Sequence, residues 1–384
     1  MASVENILEG NRICICAGSG GVGKTTTSAA IALGMAARGF KVCVLTIDPA
    51  KRLADSLGLE QLGNEATMVD PELISEHGVQ EEGGELWAMM LDAKETFDAL
   101  VSRHAEDEEA RDRVLNNRIY QQISGALAGS QEYMAMEKLF ELHSEGRFDL
   151  LVLDTPPSRN ALDFLNAPQR LTQFIEGKSL QVFIRPTGFA ARIAGRGAGV
   201  ALSVLKRLVG FDLLADLSEF FTAFSGMIDG FQERGHRVSA LLADDETTFI
   251  VVCGPQADQV EEAVFFHSKL VEQKMNFGGA VVNRVRYRLG TKAPKLKALT
   301  SKLDGEISNP ELAETIARNL LEYDVLAQRD AKNIAVLRKT ISGEPVIRIP
   351  YLDTDVHDIA GLSEINRYLF TNEKERVDLA SNGN

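Results

Sequence analysis

Residues 18–25 read Gly-Ser-Gly-Gly-Val-Gly-Lys-Thr and meet the pattern G-x-x-x-x-G-K-[ST] at Gly18, Gly23, Lys24 and Thr25. This turn follows a short apolar run, residues 12–17. It opens a segment, residues 24–38, whose apolar positions recur every three or four residues until Gly39. The spacing predicts a buried strand, a tight loop and a helix. Glycine lets the backbone curl until several N–H groups point inward, and the helix start adds the positive end of its dipole. Such a cradle takes phosphate, and it commits the surrounding chain to strand–loop–helix units.

Further apolar runs at 41–47, 86–91, 149–153, 249–253, 279–282 and 345–349 each end near a polar, Gly or Pro turn. Continuous apolar strands separated by helices imply a parallel sheet covered on both faces. The fold class expected is α/β, a doubly wound and mainly parallel sheet of P-loop NTPase type with about seven or eight strands. Two stretches interrupt the alternation. Residues 93–145 read as several helices with acids at 106–109, and residues 168–243 carry no convincing strand. Both read as insertions that form a helical subdomain of a single domain spanning 1–384. The polar tail, 372–384, reads as flexible.

Composition removes several function classes. With 45% hydrophobic and 25% charged residues among 384, the chain is globular. A net charge of −14 argues against nucleic acid as the main partner. Cys14, Cys16, Cys43 and Cys253 lie in apolar runs without a C-x-x-C pair, which argues against disulfides and a zinc site. The first residues lack a basic start and an apolar core, and no run of about 18 apolar residues occurs, so neither a signal peptide nor a membrane span is expected. A cytoplasmic protein that at most visits a membrane transiently is expected.

The loop fixes the chemistry of its neighbours. Mg-ATP is the expected ligand, with Gly18, Ser19, Gly20, Gly21, Val22, Gly23, Lys24, Thr25 and Thr26 around the phosphates. Lys24 sets a cation against the β and γ phosphates, and the Thr25 hydroxyl suits Mg²⁺. Asp154 ends the run 150–153 and Asp48 follows 41–47, both at the carboxyl ends of strands where open α/β sheets bind ligands. Asp154 is the expected carboxylate of the metal's water shell. Asp48 is the candidate that orients an attacking water, which makes Asp48 and Lys24 the catalytic pair. The competing reading of either aspartate is a helix N-cap.

Gly20 through Thr26, then Asp48-Pro49-Ala50 with Leu53-Ala54-Asp55, then Asp154-Thr155-Pro156-Pro157 resemble the ArsA family of deviant P-loop ATPases. That family holds the arsenite-pump ATPase and the targeting ATPase for tail-anchored membrane proteins. Leu91-Asp92-Ala93, Val281-Val282-Asn283, Pro350-Tyr351, Asp355-Val356 and Ala360-Gly361-Leu362 follow in the expected order, so the resemblance spans the chain. It implies a face-to-face dimer, since one chain carries one loop. It also implies that Asp48 lies in switch I, that 154–160 is switch II, that Asn283 reads the adenine, and that the loop after Pro350 covers the base. Two positions depart from the family. Ser19 stands where members carry a second lysine, and Arg159-Asn160 stands where they carry Gly-His. The readings of Ser19 are slow hydrolysis, replacement by an arginine such as Arg52 or Arg159, or a lysine donated by a paralogous partner in a heterodimer.

Residues 177–211 hold no acid and six bases, interspersed with apolar residues, and Phe211, Phe220, Phe221 and Phe224 follow. Such a segment suits a hydrophobic groove, an anionic membrane surface or an ordinary solvated helical layer. Met227 is the one methionine in 168–243, fewer than client grooves of the family use. The leading expectation is an ATPase that couples its nucleotide state to a hydrophobic client or membrane protein. The alternative is the energising subunit of an anion, arsenite-like, efflux system, although no cysteine lies between Cys43 and Cys253 to capture arsenite. A MinD/ParA-like positioning protein is the third reading; the long helical insertion argues against it.

Overall fold

A computed structural model of the protein describes residues 3–48, 50–76, 83–123, 130–155, 165–167, 228–288, 295–372 and 375–376. Eight strands form one sheet: β1 Ile13–Ala17, β2 Lys41–Thr46, β3 Thr67–Met68, β4 Glu85–Met90, β5 Leu150–Asp154, β6 Thr247–Cys253, β7 Phe277–Val285 and β8 Val346–Pro350. Their order is β3-β4-β2-β5-β1-β6-β7-β8, parallel throughout except for the antiparallel edge β3. The mainly parallel α/β sheet of the sequence reading is therefore present, with β3 as a strand that reading lacks.

Strand β1 shows why apolar runs become central strands. All five residues are buried, and the pleat sends Ile13, Ile15 and Ala17 into one core and Cys14 and Cys16 into the other. Each core needs its own helical cover. On the first face lie α5 (Ala93–His104), α8 (Ser130–Glu145), α9 (Ile228–Leu242), α10 (Ala257–Glu272) and α12 (Pro310–Thr340). On the second lie α2 (Lys24–Ala36), α3 (Arg52–Ser56) and α13 (Ile359–Leu369). At about 1.5–3 kcal/mol for each large side chain removed from water, two such cores hold the sheet on both sides.

The remaining helices are α1 (Val4–Leu8), α4 (Pro71–Glu76), α6 (Glu108–Leu115), α7 (Arg118–Ile123) and α11 (Leu296–Ile307); the first four add Val4, Leu8, Ile74, Val114 and Tyr120 to the two cores. Helix α2 approaches α13 closely because Gly34 lacks a side chain; a Cβ there would meet the Phe370 ring at 2.1 Å. The 31-residue α12 is a second element absent from the sequence reading. Its core-facing Asp324 and Asp330 pair with Arg288 and Arg286 just beyond β7. The predicted helices of 93–145 are α5 to α8. Buried Glu137 of α8 meets Arg234 of α9 at 2.5 Å, and burial, opposed by Arg234, raises the Glu137 pKa. Most of 168–243, with its basic and Phe-rich stretch, lies outside the described residues.

Candidate nucleotide site

The loop between β1 and α2 is glycine-rich for steric reasons. Gly18 sits at φ +151°, and a Cβ there would lie 2.0 Å from the Val252 carbonyl oxygen of β6. Gly23 sits at φ +91° directly before α2, and a Cβ there would lie 2.3 Å from the Asn283 side chain. The loop is thus pressed onto β6 and β7, and no larger residue fits either position. Thr27 and Ser28 return their hydroxyls to the carbonyls of Gly23 and Lys24, at 2.9 and 3.0 Å, which fastens the first turn of the helix.

Lys24 is 6% exposed and its Nζ donates to the Ser19 carbonyl at 2.8 Å. The side chain folds back over the loop, where a phosphate group would compete for it. Burial lowers its pKa, while the carboxylates of Asp154 and Asp48 act to raise it. Strand ends far apart in sequence meet here, as the hydrogen bonds of Asp154 show. Asp154 is 1% exposed; one oxygen, Oδ2, accepts from the Thr25 hydroxyl at 2.6 Å and the Thr46 hydroxyl at 2.9 Å. Its other oxygen, Oδ1, is buried with no hydrogen-bond partner among the described residues. Burial pushes this carboxyl up to about 6, against the two hydroxyls and Lys24, with Asp48 adding to the rise.

Asp48 lies half-buried after β2, its backbone N–H on the Thr46 hydroxyl at 3.2 Å and its Oδ1 accepting from the Ala50 N–H at 3.0 Å. Neither aspartate caps a described helix. The orphan oxygen of Asp154, beside the Thr25 hydroxyl, fits a hydrated Mg²⁺: a buried carboxylate oxygen needs a donor or a cation, and a hard divalent ion with water supplies both.

Next to the loop lies a cleft of about 740 Å³ lined by Gly23, Thr26, Arg52, Asn283, Arg284 and the segment from Pro350 to Val356. Asn283 is buried; its Nδ2 donates to the Val22 carbonyl at 3.0 Å and its Oδ1 accepts from the Arg284 N–H at 2.9 Å. The site therefore assembles Gly18 to Thr26, Asp48, Asp154, Asn283 and Pro350 at one end of the sheet. Ser19 presents a buried hydroxyl without a partner among the described residues. Arg52 lines the cleft, whereas Pro49, Pro156, Pro157, Arg159 and Asn160 lie outside the described residues.

Two contributors, Thr46 and Arg284, escape a reading of the sequence, and a third, Tyr351, enters it only as part of Pro350-Tyr351. Thr46 is the last residue of β2 and reaches Asp154 because β2 and β5 are neighbours. Arg284 follows Asn283 and donates from Nη1 to the Gly21 carbonyl at 3.3 Å. Tyr351 stands 58% exposed over the cleft, with the Arg286 guanidinium 5.8 Å from its ring centre. An exposed aromatic directly after a strand is a usable sequence signal for a cleft residue; Thr46 and Arg284 depend on strand order.

A strand–loop–helix cradle with a folded-back lysine, and a carboxylate from the neighbouring strand, define the P-loop class of α/β nucleotide-binding proteins. Within that class the profile of the anion-transporting ATPases, ArsA_ATPase, matches residues 11–287, and the chain belongs to that family. It is 24% identical over 295 residues to the ATPase get3 of Schizosaccharomyces japonicus, covering 76% of this chain and 81% of that one. It is 25% identical over 291 residues to the ATPase ASNA1 homolog 1 of Paramecium tetraurelia, covering 74% and 79%. A putative arsenical pump-driving ATPase of Prosthecochloris vibrioformis is 34% identical over 168 residues, 42% of this chain and 36% of that one. Relatives along most of the chain are thus named ATPases. No described helix is long and apolar enough to cross a membrane.

Proposed function

We propose that the chain binds and hydrolyses Mg-ATP as a dimeric ATPase, and that it couples its nucleotide state to a hydrophobic client or to membrane-protein targeting. The observation that carries the nucleotide reading is the Thr25–Asp154 pair, with its unpartnered carboxylate oxygen beside a folded-back Lys24. Lys24 holds the phosphates, Thr25 and Asp154 hold the metal through hydroxyl and carboxylate, and Asp48 orients water. When bound, Mg²⁺ neutralises charge that develops on the phosphate oxygens. Gly18 to Thr26 supply backbone N–H groups, and Asn283 and Pro350 flank the base. The domain is single, with the helical insertions of 93–145 and 168–243 as the client-facing layer, 372–384 as a tail, and the cytoplasm as its place of work.

The test is ATP hydrolysis by the purified chain with Mg²⁺ titrated, beside Asp48→Asn. Metal-dependent turnover that Asp48→Asn removes while ATP binding survives supports the assignment; turnover that ignores Asp48 overturns its role. The same variant, locked with ATP, separates the client readings by co-purification. A hydrophobic polypeptide supports targeting. A membrane permease supports anion efflux, the second reading, favoured by the arsenical-pump relative. The mass of the ATP-bound particle and its subunit content distinguish a homodimer from a heterodimer with a paralogous ATPase. Ser19→Lys tests the missing cation: an unchanged rate means that another group already fills that role.

A further inference from the structure

Arg284 occupies an unusual position. It is one of three described non-glycine residues with positive φ, at +59°, a left-handed backbone conformation that side chains other than Gly, Asn and Asp adopt at a cost. Asn283 enforces it, because its Oδ1 accepts the Arg284 N–H at 2.9 Å while its Nδ2 holds the Val22 carbonyl. The strained backbone turns the guanidinium toward the phosphate loop, where Nη1 donates to the Gly21 carbonyl at 3.3 Å. Two successive residues at the end of β7 thus grip two successive carbonyls of the loop. The Arg284 side chain is exposed, lines the same cleft as Gly23 and Thr26, and forms no ion pair with a described carboxylate. A guanidinium has five N–H donors in a planar fork, so the bond to Gly21 leaves most of them for a ligand. Within residues 18–26 Ser19 carries no charge, and Lys24 is the one cation that the loop itself contributes.

We infer that Arg284 is a phosphate-binding residue, a second cation delivered by β7 to the phosphate chain of the nucleotide, and that the strain at φ +59° is maintained to aim it. The inference rests on the nucleotide reading above. It predicts recognition of the phosphates and not of the base. The experiment compares ATP, ADP and adenosine binding to the full chain for the wild type, Arg284→Gln, Arg284→Lys and Arg284→Gly. Arg284→Gln is expected to weaken ATP and ADP about tenfold, the scale of one charged hydrogen bond, and to leave adenosine unchanged. Arg284→Lys restores most of the loss. Arg284→Gly relieves the backbone, so it melts no lower than the wild type yet binds ATP as weakly as Arg284→Gln. Equal weakening of adenosine and ATP, or undiminished ATP affinity in Arg284→Gln, overturns the inference while the ATPase reading stands. A wild type that binds no ATP removes both.

Discussion

The two ends of the nucleotide cleft are built on different physical principles. At the phosphate end, Lys24 and Asp154 are buried and committed, 6% and 1% exposed. At the other end, the segment after Pro350 offers exposed side chains, Tyr351 chief among them at 58%. The first end is preorganised and stores the cost of desolvated charge, so a ligand there gains strong and specific bonds. The second end has little to lose and little to gain until a base lies on it. Affinity should therefore be concentrated at one end, with the other adding selectivity.

The largest test of that contrast is Lys24→Ala, which should weaken ATP at least about 100-fold in equilibrium binding, since a buried cation over phosphate is worth several kcal/mol. Loss of only a few fold would mean that the loop binds through its backbone alone. Gly18→Ala attacks the framework instead. With a Cβ 2.0 Å from the Val252 carbonyl at φ +151°, it should cost about 2–3 kcal/mol in denaturant unfolding. Unchanged stability would mean that the loop can lift from β6.

A smaller effect depends on pH. The Asp154 carboxyl is raised to about 6 in the folded chain, so the native state binds its proton more tightly than the unfolded state does. Stability from this group is full below the unfolded value and lost as pH rises to about 6. Relative to the wild type, ligand-free Asp154→Asn should therefore gain up to about 2 kcal/mol as pH climbs from 4 to 7. A flat difference between the two melting curves across that range would break the assignment. Smallest of all, Tyr351→Ala should weaken ATP and adenosine alike, by about 3- to 10-fold, the worth of one aromatic stacked on a base. A loss as large as that of Lys24→Ala would erase the contrast.

The phosphate end was legible in the sequence because its geometry is local. Gly18, Gly23, Lys24 and Thr25 are fixed by their spacing, and Asp48 and Asp154 by the apolar runs that precede them. Strands β1, β2 and β5 announce themselves because burial on both faces confines polar residues to the strand ends. The rest was hidden for identifiable reasons. Thr67–Met68 is too short to show alternation. The core-facing side of α12 carries Asp324 and Asp330, which break its apolar period and are tolerated only because Arg288 and Arg286 meet them. The grip of Asn283 and Arg284 on the loop follows from β7 lying two strands from β1, which no local spacing encodes.

The strand order also sets a timetable. Ile13 pairs with Leu151 on one side and with Thr247 on the other, so a segment near the start of the chain acquires its neighbours very late. During synthesis the phosphate loop emerges without Asp154, without the β6 carbonyl beneath Gly18, and without Asn283. Contacts across such distances are slow to form and leave unpaired strand edges exposed meanwhile. A nascent chain that has not yet passed residue 285 therefore has the motif but no competent binding site. A nucleotide bound at this site would stabilise the fold only after almost three-quarters of it has left the ribosome.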